Sequence, residues 1–487
     1  MKRWWWVIPL LYGCASDPNS HAVSDTYAPK SDPGGSRPTV ESAVADAAAP
    51  LVADGSKAEE LPREPSGFAL PFIEDDYEKA LADARAHDRP LFVDVWATWC
   101  HSCLSLKRFV FTDPRLATEA ERFTWLAVDS EKPENAKLVA ALKLEVLPTL
   151  FILDPKTERP AWTWRGSLTT EELRTALERA TTKKPESALL AKADAAAARG
   201  DKAEARALYA KLVSDPTVKS ERARILDAYV SLLSDQKAYG ACADLARKEG
   251  PSLPLGTYRV DVAVTGVDCV LEGTKKPADR ARDLAPLVTE LETVLASPAG
   301  AILDDDRSGA FDALVNAEDA LGDVAGKKRA ASRWATFLES AAARAPTPTK
   351  RAVFDAHRML AYTALGEPAR ALPMLEASER DFPLDFNPPA RRARVLFDLG
   401  RFDEAGIAID TALTKAYGGR RLRLYLLKAD ILEGAKRPDA ARAALEEGLA
   451  YAKTLSLRES YEKVRKSIEA RLAKAPAKAE KKAPPTQ

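Results

Sequence analysis

Between Phe68 and Ala180 the apolar residues change period several times, and each change marks an element. Ile73, Tyr77, Ala80, Leu81 and Ala84 fall three and four apart, which predicts an amphipathic helix over Ile73–His87. Leu91-Phe92-Val93-Asp94-Val95-Trp96 is a short apolar run of buried-strand type with one acid in it. A helix with apolar Leu104, Leu106, Phe109 and Val110 follows, then a strand at Thr124–Val128 and a helix at Glu134–Leu142. Val146–Leu153 and Ala161–Arg165 read as two further strands. Thr169–Ala180 closes the segment as a helix with Glu171 and Glu172 in its first turn, where carboxylates oppose the positive end of the dipole. The predicted order is that of a small α/β domain over 67–183.

Past about Thr182 helical spacing dominates, and tryptophan all but disappears, Trp334 being the one of nine that lies beyond this point. Gly200-Asp201-Lys202-Ala203-Glu204-Ala205, Gly366-Glu367-Pro368-Ala369-Arg370-Ala371 and Gly400-Arg401-Phe402-Asp403-Glu404-Ala405 repeat one pattern, and Gly434 continues the 34-residue spacing of Gly366 and Gly400. Tyr209, Leu375, Ile409 and Pro383 supply the bulky and terminating positions. The pattern resembles tetratricopeptide repeats, in which glycine ends one helix and a small alanine in the next lets the pair pack closely. Repeats are expected near 185–217, 352–385, 386–419 and 420–455, with helices of no clear repeat between 220 and 345. The resemblance implies an all-α solenoid over 184–472 whose concave face recruits protein partners; a plain spacer or a dimerisation surface is the alternative. The ending at 473–487 is rich in Lys, Ala and Pro and reads as disordered.

The N-terminus changes the picture of where such a chain works. Met1-Lys2-Arg3 precedes Trp4–Leu11, an apolar stretch too short to span a bilayer but suited to a signal peptide. It runs into Leu11-Tyr12-Gly13-Cys14, which resembles a bacterial lipobox and implies lipidation at Cys14 after removal of the preceding residues. An uncleaved anchor or an ordinary secretory signal is the competing reading, because Tyr12 stands where a small residue is usual. Ala15 after the cysteine favours the outer over the inner membrane, and either way the folded part faces the periplasm. Residues 15–66 are Ala-, Pro-, Ser- and Gly-rich with nine acidic residues against four basic, a composition that cannot bury enough surface to offset ordering. They read as a disordered tether.

Composition excludes more than it assigns. The 487 residues carry 72 Lys+Arg against 72 Asp+Glu, and the tail at Lys474–Lys482 is the sole basic block, so no nucleic-acid partner is expected. At 46% hydrophobic and 30% charged the bulk of the chain can fold. The five cysteines carry the chemistry. Cys100-His101-Ser102-Cys103 sits where a predicted strand gives way to a helix. Backbone N–H groups and the dipole there favour a thiolate at Cys100, and Cys103 lies one turn on, placed to resolve a mixed disulfide. Cys242 and Cys269, in the helical half, are expected to form a structural bridge in an oxidising compartment, with two free buried thiols as the alternative.

Val93-Asp94, Trp96-Ala97-Thr98-Trp99-Cys100, the Cys100–Cys103 pair, Val110-Phe111-Thr112-Asp113-Pro114 and Leu147-Pro148-Thr149 together resemble the thioredoxin family. The resemblance is to the C-terminal thioredoxin-like domain of the thiol–disulfide interchange reductases, over residues 68–183. It implies a thioredoxin fold, Cys100 as nucleophile, Cys103 as resolving thiol and Asp94 as the buried acid that takes the resolving proton. It further implies a cis peptide before Pro148, with Trp99, Leu147 and Pro148 meeting the substrate chain, and His101 and Ser102 tuning the couple. The lysine that partners the acid in many thioredoxins is not evident, and Trp125 stands near its place. No cofactor is expected. Metal is not expected either, since this domain offers only His87 and His101 beside one Cys pair. The reading is an extracytoplasmic protein-disulfide reductase acting on protein thiols and disulfides and re-reduced by a separate electron donor. An oxidase or isomerase, and a non-catalytic envelope scaffold, are the alternatives.

Overall fold

A computed structural model describes residues 68–474 except 145, 182–187 and 457. Cys14 and its lipobox, the whole of the 15–66 tether, and the tail beyond Lys474 lie outside the described residues. Among the described residues no helix is long and apolar enough to cross a membrane.

Strands β1 (Phe72–Glu74), β2 (Leu91–Trp96), β3 (Thr124–Asp129), β4 (Thr149–Leu153) and β5 (Pro160–Arg165) form one sheet in the order β1-β3-β2-β4-β5. β1 and β2 run parallel to β3, while β4 is antiparallel to both β2 and β5. Every residue of β2 and β3 is buried, as the unbroken apolar runs require of strands covered on both faces. Helices α1 (Tyr77–Ala86), α2 (His101–Ser105), α3 (Ala136–Ala141) and α4 (Thr170–Thr181) complete the domain. This is the arrangement that the thioredoxin resemblance implies.

Two local expectations fail for physical reasons. Ile73 is not in a helix: Phe72, Ile73 and Glu74 pair in register with Trp125, Leu126 and Ala127, and this pairing outweighs the helical spacing. Asp75 then turns the chain at φ 57° and Asp76 caps α1 by accepting from the Lys79 N–H at 3.0 Å. Gly434 does not end its helix in the left-handed conformation that Gly366 and Gly400 adopt, and Lys436 makes the turn instead at φ 58°. Gly434 is the last residue of its helix, where a Cβ would collide with the Phe402 ring.

The rest of the described chain holds sixteen α-helices, from α5 (Ala188–Arg199) to α20 (Glu459–Lys474). Neighbours pack through small residues, with Ala205, Ala371, Ala405 and Ala412 fully buried beside Tyr209, Leu375 and Ile409. The chain is therefore a thioredoxin-type α/β domain followed by an all-α, tetratricopeptide-like region. Cys242 and Cys269 are joined by a disulfide with a Cα–Cα distance of 6.1 Å, which staples two adjacent helices of the stretch where the repeat pattern is weak.

Candidate active site

Cys100 ends the segment after β2 and caps α2, its Sγ accepting from the Cys103 N–H at 3.2 Å. The two cysteines are disulfide-bonded, Cα–Cα 5.2 Å, so this is the oxidised form of the pair. After α2 the helix widens into a π-helical turn over Leu106–Val110. The Leu147–Pro148 peptide, at the entry to β4, is cis.

Alternation along β2 puts Phe92, Asp94 and Trp96 on one face. Asp94 is fully buried, and neither carboxylate oxygen has a hydrogen-bond partner. Its nearest countercharge is the Lys107 Nζ at 3.7 Å, which lies over the Trp96 ring at 4.2 Å and also reaches Glu74 at 3.5 Å. Burial pushes the Asp94 carboxyl up to about 7 against the pull of Lys107. The lysine missing from the expected place thus arrives from the π turn. Trp125 faces an aromatic cluster with Phe72, Phe92 and Phe123 and donates from Nε1 to the Ala120 carbonyl. That a π turn would aim Lys107 at Asp94 is not legible from periodicity.

The helical region closes over this site. Helix α16 (Asn387–Asp398) begins with Asn387, which donates to the Thr98 carbonyl at 3.1 Å, and Phe386 belongs to the same buried apolar cluster as Trp96, Trp99 and the cysteines. The Arg420 guanidinium, at the start of α18 (Arg420–Gly434), lies 4.7 Å over the Trp99 ring. Below it Glu131 gathers four donors, namely Trp99 Nε1 at 3.3 Å, the Arg420 N–H at 3.1 Å, Arg458 at 2.7 Å and the Tyr461 hydroxyl at 2.6 Å. Asp129 accepts from Tyr417 at 2.5 Å. In consequence Cys100 is 3% exposed and Leu147 2%. A cavity of about 3940 Å³ between the two parts reaches Trp99, His101, Ser102 and Leu147, and carries Asp227, Asp261 and Asp306 on its helical side.

His101 leans into that cover. Its Nδ1 lies 2.9 Å from Asp305 on α11 (Asp304–Ala320), and its Nε2 lies 3.3 Å from Nε2 of His357 on α14 (Asp355–Leu365). Burial opposes ionisation of Asp305, but His101 outweighs it and holds the carboxyl below its usual range. Burial drives His357 the other way, down to about 3, so it stands as neutral imidazole. Ser102 lies beside the pair, with Oγ 3.5 Å from Cys100 Sγ. His87 is elsewhere, exposed at the end of α1 with Nδ1 against the Asp83 carbonyl. Nothing in the sequence links His101 to residues 204 and 256 positions later.

Residues 72–155 match a family model described as thioredoxin-like. The chain is 27% identical over 82 residues to the thiol:disulfide interchange protein DsbD of Pseudoalteromonas atlantica, covering 16% of this chain and 14% of that protein. To the protein of that name from Salmonella paratyphi A it is 36% identical over 83 residues, with 16% and 14% covered. The chain thus spans about one seventh of the length of these curated relatives. Among solved structures, a tetratricopeptide repeat protein from Parabacteroides merdae aligns with 58% of this chain and 97% of its own at 10% identity, TM-score 0.37. A poplar thioredoxin h mutant aligns with 26% of this chain and 94% of its own at 16% identity, TM-score 0.21. Residues 72–155 accordingly form a thioredoxin-like domain whose C-x-x-C pair points to thiol–disulfide oxidoreductase chemistry.

Proposed function

We propose that the protein is a membrane-anchored, periplasm-facing protein-disulfide reductase. The observation that carries this reading is the Cys100–Cys103 disulfide capping α2, in one domain with a cis Leu147–Pro148 peptide and a buried Asp94 whose countercharge is Lys107. In the reduced form the helix N-terminus stabilises a Cys100 thiolate. That thiolate attacks one sulfur of a substrate disulfide, forming a mixed disulfide and expelling the other substrate sulfur as thiolate. Cys103, its proton taken by Asp94, then attacks the Cys100 sulfur and expels the second substrate thiolate. The products are a reduced substrate and the Cys100–Cys103 disulfide. A separate donor dithiol returns two electrons and two protons.

Trp99, Leu147 and Pro148 are proposed to meet the substrate chain, with His101 and Ser102 tuning the couple. Lipidation at Cys14 rests on the lipobox resemblance and the length of the apolar stretch before it. The near-complete cover of Cys100 favours a second reading, in which the helical region is an envelope scaffold and the dithiol does no turnover. A Cys103→Ser variant separates the two. The reductase accumulates mixed disulfides through Cys100, resolved by diagonal gels, whereas a variant that traps nothing sinks the enzymatic reading. Thiol alkylation in cells gives the direction: a reduced pair means reductase, an oxidised pair oxidase. Cys14→Ser should release the chain from membranes, and unchanged membrane association refutes the anchor.

A further inference from the structure

The chain contains four histidines, and two of them, 256 residues apart, meet at the cover of the dithiol. Their Nε2 atoms are 3.3 Å apart. Two nitrogens each about 2.0–2.1 Å from one ion at a tetrahedral angle are separated by about 3.3–3.4 Å. Asp305 completes the group: one ligand atom from each of His101, Asp305 and His357 lies within 4.8 Å of the other two. His357 and Asp305 are buried, and the His101 side chain keeps 15% of its surface. All three line the large cavity, so an ion has a path in and a position left for water.

We propose that His101, Asp305 and His357 form a binding site for a divalent metal ion of the zinc class, which staples the helical region to the first turn of the dithiol helix. Two imidazoles and one carboxylate suit zinc rather than magnesium or calcium, which take oxygen ligands. Three protein ligands with an open fourth position is the composition of exchangeable zinc sites, not of closed structural ones. The two Nε2 atoms already face each other at the separation an ion requires, and the Asp305 carboxylate, 2.9 Å from Nδ1 of His101, turns from that nitrogen to become the third ligand. An ion here ties residues of three separate segments, and it does so whether or not the cysteines turn over.

The test uses the full chain with both disulfides intact and Cys14 replaced by serine, so that no thiol can bind metal. Protein stripped with a chelator is titrated with zinc against a chromophoric competitor, and with cobalt for its visible spectrum. One equivalent should bind with a dissociation constant below about 1 μM. His101→Gln, Asp305→Asn and His357→Gln should each weaken it at least about 10–100-fold. His87→Gln should leave it unchanged. Zinc should raise the melting temperature of wild type but not of the three variants, and circular dichroism checks each fold. His101→Gln, on the partly exposed first turn, keeps the test valid if the buried variants misfold. No stoichiometric binding by wild type overturns the proposal, and so does wild-type affinity in His101→Gln or Asp305→Asn. Because binding is read without thiol chemistry, its failure is distinguishable from failure of the reductase reading.

Discussion

Asp94→Asn is the substitution for which the structure gives a magnitude. The folded protein holds a proton on Asp94 up to about 7, against 3.8 for an ordinary aspartate. Between those values the folded state binds more protons than the unfolded chain, so this group lowers stability as pH rises through the window and is neutral below it. At 1.36 kcal/mol per unit, the interval amounts to about 4 kcal/mol above pH 7, with a slope of about 1.4 kcal/mol per pH unit inside the window. Asparagine does not titrate. The stability of the variant relative to wild type should therefore rise by about 4 kcal/mol between pH 4 and pH 8, whatever constant offset the amide introduces. Urea unfolding with the disulfides intact, at half-unit pH steps, measures it. Five of the six tryptophans among the described residues lie in the α/β domain, so fluorescence reports that domain. In turnover assays the same variant should lose the rising limb near pH 7 and slow by at least about 100-fold, the size of a lost general base. A stability difference that stays constant across this range refutes the argument that Asp94 is a desolvated acid.

Further expectations concern the cover and the second disulfide. Replacing Cys242 and Cys269 by alanine opens a 27-residue loop and should cost about 3.5 kcal/mol of helical-region stability, read by denaturant midpoint; a shift under about 1 kcal/mol refutes it. Glu131→Ala strands Arg458, the Tyr461 hydroxyl and Trp99 Nε1, a loss of about 3 kcal/mol that should appear as faster amide exchange in α20. Unchanged exchange there means that Glu131 does not tie the two parts together. Asn387→Ala removes the bond to the Thr98 carbonyl, worth about 1 kcal/mol, and should speed alkylation of reduced Cys100 roughly fivefold. Equal rates would place the gate elsewhere.

What was legible in the sequence is what short-range chemistry encodes. The strand runs of β2 and β3, the dithiol at a strand-to-helix junction and the glycine turns at Gly366 and Gly400 each follow from a handful of adjacent residues. Ile73 misleads because a three-residue strand is specified by its partner β3, not by its own spacing. Lys107 is hidden by the π turn, which shifts a side chain off the face that a regular helix would give it. Asp305, His357, Arg420 and Glu131 carry no local mark. They matter through meetings across 200 residues or more, and a single sequence holds no trace of which distant faces will touch.

The Glu131 bond to Tyr461 joins residues 330 apart, the hydroxyl coming from the last described helix. At the usual pace of synthesis, 5–20 residues per second, roughly 15–65 s separate the emergence of the two. Once Arg165 is made the α/β domain has its whole sheet and its dithiol in hand, while α16, α18 and α20, which complete the cover, are still to come. A newly made molecule therefore passes through a stage in which its sulfurs meet any passing thiol, a stage that closes as α16 and α18 arrive and α20 locks them through Glu131.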